Sequence, residues 1–346
     1  MKTGLALAAG VALALTGGAA QAKDFYKMGS LAPGMSPFTV NTAFATIINK
    51  HLKDVEIQVS ATGSGMRHQL LVAKGRMDFY MSSPVGQWLM EKQVGPFKKL
   101  KNGKELSGKL RHIFTYEIGP YHFVTYADSG IMKMADLKGK KVFIGPPGGA
   151  ATRNVNAMIK NQTGMVAGKD YEKINMGWSA AIQAFQDKKY DVMVIPTNAP
   201  SPAIQQIALN NKLRLLTVDI SKQGRLLRVP GRTIRTIDPT VYGPNMVTRK
   251  PVPTLGALVG VGVRADMPDD VVYKITKAFW ENVKDAHATA SWMKNAINLD
   301  IALIVVPHGL HPGAARYYKE RGLKIPSTFK TGQKWDAKSI TFKTKK

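Results

Sequence analysis

Apolar and polar positions along the chain repeat one device: a short alternating apolar run, a loop of small residues, then a helical pattern. Val55-Glu56-Ile57-Gln58-Val59 runs into Ser60-Ala61-Thr62-Gly63-Ser64-Gly65, ahead of a helix predicted from about Met66. Met77-Asp78-Phe79-Tyr80-Met81 leads into Ser82-Ser83-Pro84 and a helix through Trp88 and Met90. Lys141-Val142-Phe143-Ile144 leads into a loop containing Gly148, Gly149 and Thr152, then a helix through Met158. Asp191-Val192-Met193-Val194-Ile195 leads into Pro196-Thr197-Asn198-Ala199-Pro200 and a helix through Gln206. The first predicted strand, Phe25-Tyr26-Lys27-Met28, precedes a loop holding Ser30 and Ser36.

Strand-helix-strand repetition implies an α/β architecture with largely parallel sheets, since crossover helices join parallel strands. Ligands of open sheets bind beyond the carboxyl ends of the strands, where these five loops lie. Each loop feeds a helix N-terminus, whose free N–H groups and positive dipole end attract an anion. The candidate ligand-binding residues are therefore Ser30, Ser36, Thr62, Ser64, Ser82, Ser83, Gly148, Gly149, Thr152, Thr197 and Asn198. Plain helix capping is the competing account of the same hydroxyls.

Two segments, Phe123-Val124-Thr125-Tyr126-Ala127-Asp128 and Val261-Gly262-Val263-Arg264-Ala265-Asp266, end alike in Ala-Asp. They bracket two loop-helix units, the wiring of a chain that leaves one lobe and returns to it. A shared but commonplace strand end explains the likeness equally well.

Composition narrows the function. With 346 residues the chain is long enough for about two domains. The absence of Cys excludes a disulfide scaffold, a thiolate nucleophile and Cys-based metal sites. The net charge of +26 invites a nucleic-acid partner. The N-terminus opposes it: Met1-Lys2-Thr3, an apolar run from Gly4 to Thr16, and Ala20-Gln21-Ala22 read as a signal peptide over residues 1–22. The run is too short to span a bilayer, and no Cys follows for lipidation. The expectation is an unanchored periplasmic protein that starts near Lys23 and binds no nucleic acid; a buried N-terminal helix is the alternative. The lysines of residues 95–109 are expected on a solvated loop, and those of residues 330–346 on a frayed tail.

No catalytic constellation stands out. The loop Gly29 to Ser36 has P-loop spacing, but Met35 stands where that motif needs Lys. Gly260-x-Gly262 lacks the third glycine of a dinucleotide fingerprint. His308 and His311 have no third metal ligand nearby. The expectation is no cofactor, no metal and no enzymatic activity.

Ala127-Asp128-Ser129-Gly130-Ile131, Gly145-Pro146-Pro147-Gly148-Gly149 and His311-Pro312-Gly313-Ala314-Ala315-Arg316-Tyr317-Tyr318, with Ala61-Thr62-Gly63-Ser64 and Arg264-Ala265-Asp266-Met267-Pro268, resemble the TAXI solute-binding proteins of tripartite ATP-independent periplasmic (TRAP) transporters. The resemblance implies a two-lobed type II periplasmic-binding-protein fold with two crossover strands. It divides the chain into a first lobe of residues 23–125 with 256–346 and a second of residues 126–255. It implies capture of a small anionic or zwitterionic solute, a carboxylate or amino acid, for delivery to a membrane permease. It adds Tyr242, and with less support Tyr116, as pocket residues. Arg153, in the first turn after the glycine loop, faces either a carboxylate or solvent. A periplasmic sensing module uses the same clamp, and an exported polyanion-binding protein would use the basic surface instead. A deaminase on this fold would need a Cys for its cofactor.

Overall fold

The computed structural model describes residues 23–340. The signal-peptide expectation, residues 1–22, lies outside the described residues. In the first lobe the chain runs β1 (Asp24–Gly29), α1 (Ser36–His51), β2 (Val55–Ser60), α2 (Gly65–Ala73), β3 (Phe79–Ser82), α3 (Pro84–Glu91), α4 (Gly103–Gly108) and β4 (Leu110–Glu117). It then crosses into the second lobe through β5 (Tyr121–Tyr126), β6 (Lys141–Phe143), α5 (Ala150–Thr163), β7 (Glu172–Ile174), α6 (Trp178–Gln186), β8 (Val192–Pro196), α7 (Pro202–Ala208), β9 (Leu213–Leu215) and β10 (Arg232–Ile237). It returns through β11 (Val252–Arg264), followed by α8 (Asp269–Glu281), α9 (Val283–Thr289), α10 (Met293–Ala296) and α11 (Pro312–Glu320).

Two sheets result. One has the order β10-β11-β3-β1-β2, with β4 also on β11; the other has the order β7-β6-β8-β5-β9. In each, the predicted strand-loop-helix units supply the parallel pairs, β1 with β2 and β3, and β6 with β7 and β8. The strands that tie the lobes together pair antiparallel: β11 with β3, β4 and β10, and β5 with β8 and β9. The fold is thus the expected mixed α/β arrangement of two sheets flanked by helices.

The first crossing sits earlier than expected at residue 125. All of β5 hydrogen-bonds to the second sheet, so the chain changes lobe at Ile118-Gly119-Pro120. Gly119 makes that turn with φ of 101°, and a Cβ there would stand 2.2 Å from the Thr197 carbonyl carbon. Only glycine lets the β8 loop close against the crossing. The Ala-Asp ends are the outer ends of β5 and β11, remote from the crossing itself.

The basic stretch 95–109 is not a bare loop. It folds as a 3-10 turn, Gly95–Phe97, and α4, because Phe97 and Leu106 bury themselves among exposed lysines. The tail is not frayed over its described part either. Phe329 is buried against Leu258 and Val305, and Thr331 Oγ1 donates to Glu91. Trp335 Nε1 donates to the Arg232 carbonyl at 2.9 Å, and Ala337 joins the apolar cluster of the second lobe. The tail therefore runs from the first lobe onto the second.

The first lobe's core centres on rings: Phe114 stacks on Phe279 at 4.8 Å, with Phe44 and Trp280 against them. Five of the described histidines, His68, His112, His122, His308 and His311, are buried, and desolvation disfavours their charged form. Burial pushes His112 down to about 3 and His122 and His308 down to about 4. Each folded value lies below the ordinary value near 6.5, so the unfolded chain binds more protons as pH falls. The stability these neutral rings confer is complete above about 6.5 and is lost as pH drops toward 4. Unfolding free energy measured in urea is expected to fall between pH 6.5 and 5, by up to about 1.4 kcal/mol per pH unit for each ring. A flat profile in that window, above the carboxylate range, would contradict the burial.

Candidate functional site

Where the two lobes face each other they enclose a small cleft of about 70 Å³, with further space opening to solvent. Three helix N-termini border it. Ser64 caps α2, accepting from Arg67 N, and Ser83 caps α3, accepting from Gly86 N, with Pro84 set at the first helical position. From the other lobe, Gly149 sits at the N-cap of α5 with no side chain to occupy the helix end. The floor is the hinge itself: Ile118, Ala257, Leu258 and Val259. Leu31, Met66, Met81, Val85, Pro146 and Trp178 make the walls mostly apolar. Trp178 does two jobs, standing edge-on to Phe143 at 5.4 Å and lining the cleft.

One charged side chain lines this space. Arg232 follows Pro230-Gly231, where Gly231 takes φ of 79° and packs against Pro84, turning the chain inward at the start of β10. Arg232 is only 1% exposed. Its Nη1 donates to the Gly256 carbonyl at 3.3 Å, and its guanidinium lies 5.8 Å from the Tyr121 ring centroid. Its Nε has no hydrogen-bond partner, and among the described residues no carboxylate is within ion-pair distance. Beside it Asn154 Nδ2 donates to the Tyr121 hydroxyl at 2.8 Å. A buried cation without a counter-charge is costly, so such a group is a strong electrostatic demand for an anion.

Of the residues expected to bind ligand, Ser64, Ser83 and Gly149 line the cleft. Thr62, exposed, lines an outer groove at its mouth with Arg67, Pro147 and Ser179. The others are committed elsewhere. Ser82 lies behind the wall: Thr115 gives its proton to the Val305 carbonyl, so it accepts from His112 Nε2, and Ser82 donates to His112 Nδ1. Ser30 donates to the Pro37 carbonyl and accepts from Asn41. Thr152 donates to the Pro146 carbonyl at 2.6 Å, and the neighbouring Gly148 is not in the cleft wall.

Ser36, Thr197 and Asn198 form a junction between lobes. Ser36 N and Oγ meet Thr197 Oγ1, and Asn198 N donates to Ser36 Oγ, all buried. Asn198 Nδ2 also reaches the Glu117 carbonyl at the crossing. Tyr242 is buried next to this junction and away from the cleft. His122 Nδ1 donates to the Pro120 carbonyl, so its Nε2 accepts from the Tyr242 hydroxyl, which in turn accepts from Ser201 N. Tyr116 is wholly buried among core rings, its hydroxyl without a hydrogen-bond partner. Arg153 is exposed, as the solvent-facing expectation has it, with its guanidinium 5.5 Å over the Trp88 ring, bridging from α5 to α3 across the lobes.

Arg232, Asn154, Tyr121 and Trp178 escaped the sequence reading. The one signal was Gly231 before an Arg that opens an alternating Thr/Ile run. Among the described residues no cluster of His, Asp or Glu could hold a metal, and no helix is long and apolar enough to cross a membrane. His311 caps α11: its Nδ1 accepts from Gly313 N and its Nε2 donates to the Met267 carbonyl.

Two α/β lobes meeting over a shared, mostly apolar cleft define a two-lobed α/β clamp. The chain belongs to the NMT1-like family, whose model matches residues 31–322. It is similar to solved structures of binding proteins. One is a TRAP periplasmic solute-binding protein from Ralstonia eutropha H16 with bound (S)-2-acetolactate (12% identity, 87% of this chain and 86% of that one, TM-score 0.46). Others are the periplasmic aliphatic sulphonate-binding protein of Escherichia coli (13%, 92% and 91%, TM-score 0.43) and a Bordetella pertussis extracytoplasmic solute receptor binding pyroglutamic acid (12%, 86% and 92%, TM-score 0.45). Similarity at this level assigns no ligand to this chain.

Proposed function

We propose that this protein is an extracytoplasmic solute-binding protein of the TAXI type. It captures a small organic anion in the interlobe cleft and hands it to a TRAP-type permease in the membrane. It acts in the periplasm after cleavage near Lys23 and catalyses nothing. The observation that carries the reading is Arg232, buried in the cleft wall without a carboxylate of its own. An anionic head group against that guanidinium would form a charge-assisted, paired contact in low dielectric. The N-termini at Ser64, Ser83 and Gly149 add N–H groups and dipoles of the same sign. Leu31, Met66, Val85 and Trp178 suit a compact apolar body.

The lining contains no Asp or Glu. An amino-acid ligand would leave its ammonium unpaired there, so the cleft favours a monocarboxylate over a zwitterion. A thermal-shift comparison of the mature chain with benzoate, 2-oxoisovalerate, succinate, glutamate and an alkanesulfonate tests this. At one shared ligand concentration the apolar monoanions are expected to stabilise most, reaching about 2.7 kcal/mol where that concentration is about 100 times the dissociation constant. Stabilisation by glutamate alone would sink the monocarboxylate assignment.

A further inference from the structure

Charge is distributed unequally between the lobes. The first lobe and hinge spend cations in ion pairs, such as Arg264 with Asp78 and Lys274 with Asp54. Among the described residues no Lys or Arg between 121 and 231 makes one. Several carboxylates of the second lobe face backbone N–H groups or hydroxyls instead: Asp136 takes Met132 and Lys133, Asp170 takes Val166, Asp191 takes Lys141, and Asp219 takes Ser221.

Four of these fifteen cations, Lys160, Lys222, Arg225 and Arg228, gather where the 3-10 turns Ile220–Gln223 and Leu226–Arg228 pack between the end of α5 and the tail turn Ala337–Ser339. Lys160, Lys222, Arg225, Arg228, Lys334 and Lys338 are all exposed there. The carboxylates on these turns, Asp219 and Asp336, each already cap one. The platform is firm. Leu226, Leu227 and Ala337 are buried beneath it, and Gln223 bonds to Asn161 and the Met158 carbonyl.

The patch is also next to the cleft. One short segment carries exposed Arg225 and Arg228 at its start and cleft-lining Pro230, Gly231 and Arg232 at its end. Trp335, on the tail that carries Lys334 and Lys338, holds the Arg232 carbonyl. A partner seated on these cations therefore touches the segment that presents the anion-seeking guanidinium.

We infer that this face of the second lobe is the docking surface for an acidic polypeptide surface of the membrane partner, an inference that rests on the reading of the chain as a delivering clamp. Complementary charge would steer that encounter and fix its orientation, and the Arg225–Arg232 segment would report whether the cleft is filled.

The test compares two triple variants of the full mature chain with the same change in net charge. Arg225→Glu/Arg228→Glu/Lys338→Glu alters the patch; Lys98→Glu/Lys99→Glu/Lys101→Glu alters the α4 region. Poly-L-glutamate binding at physiological salt, read by fluorescence anisotropy, is expected to weaken about tenfold in the patch variant and less than about twofold in the control. Equal losses, or none, would overturn the inference, since the charge would then act only diffusely. Selective loss of binding to phosphatidylglycerol vesicles, with poly-L-glutamate binding retained, would also overturn it in favour of a lipid surface. Thermal shift by small carboxylates is expected to survive in both variants. If wild type shows no such shift, the clamp reading fails on its own evidence, separately from the charge comparison.

Discussion

Arg232→Met is expected to raise the unfolding free energy of the ligand-free protein by about 1–3 kcal/mol and to weaken carboxylate binding by at least about a hundredfold. The two effects have one cause. The guanidinium is 1% exposed, holds one long hydrogen bond to the Gly256 carbonyl, and leaves Nε unsatisfied. Desolvating it therefore costs more than its local contacts return. Methionine has similar length, fills the same space beside Tyr121, and carries no charge to desolvate. What it removes is the attraction for an anion, which the cleft's apolar walls cannot replace. Urea denaturation and calorimetry with the best monocarboxylate from the thermal-shift series measure both quantities. A destabilised variant that still binds would show that Arg232 serves the fold and that the anion sits elsewhere.

Glu117→Gln should act in the opposite direction, costing about 3 kcal/mol. Glu117 ends β4 just before the crossing, and its carboxylate is buried under a fork from Arg235, with Nε at 2.6 Å from Oε1 and Nη2 on Oε2. Thr233 Oγ1 adds a third donor at 2.8 Å. The amide keeps the shape but presents N–H groups to donors and leaves the arginine without its charge partner. Because β10 is the strand that presents Arg232, loss of this pair should also loosen the cleft wall. A double-mutant cycle with Arg235→Met isolates the pairing energy, expected to exceed about 1.5 kcal/mol. A loss below about 1 kcal/mol for Glu117→Gln would mean the pair is solvated in practice.

The parallel strands were legible because each is a local event: an apolar run, a small-residue loop and a helix within about twenty positions. β1, β2, β3, β6 and β8 all stand where the pattern puts them. The crossing at Gly119 was not legible, since what defines β5 as part of the second sheet is pairing with residues some seventy and ninety positions away. The site divides in the same way. Ser82 and Ser83 are adjacent and chemically identical, yet only Ser83 reaches the cleft. Ser82 ends a strand whose alternation turns it toward His112, while Ser83 is already the cap of α3. Hydroxyl-rich loops were a sound guide to where the cleft is and a poor guide to which oxygen faces it. Arg232 was invisible because burial of a charged residue is decided by the packing of Gly231 on Pro84 and Trp335 on the backbone, none of it local.

The tail has a mechanical consequence. Rotation about two crossing strands is a single soft motion, but this chain passes between its lobes a third time, from Phe329 to Ala337. For the lobes to swing apart the third segment must slide or peel, and peeling would wet Trp335 and Ala337. Any such opening would be opposed by the free energy of re-exposing the apolar area under the tail. The clamp would have a built-in resting angle, and shortening the tail would be the way to change it.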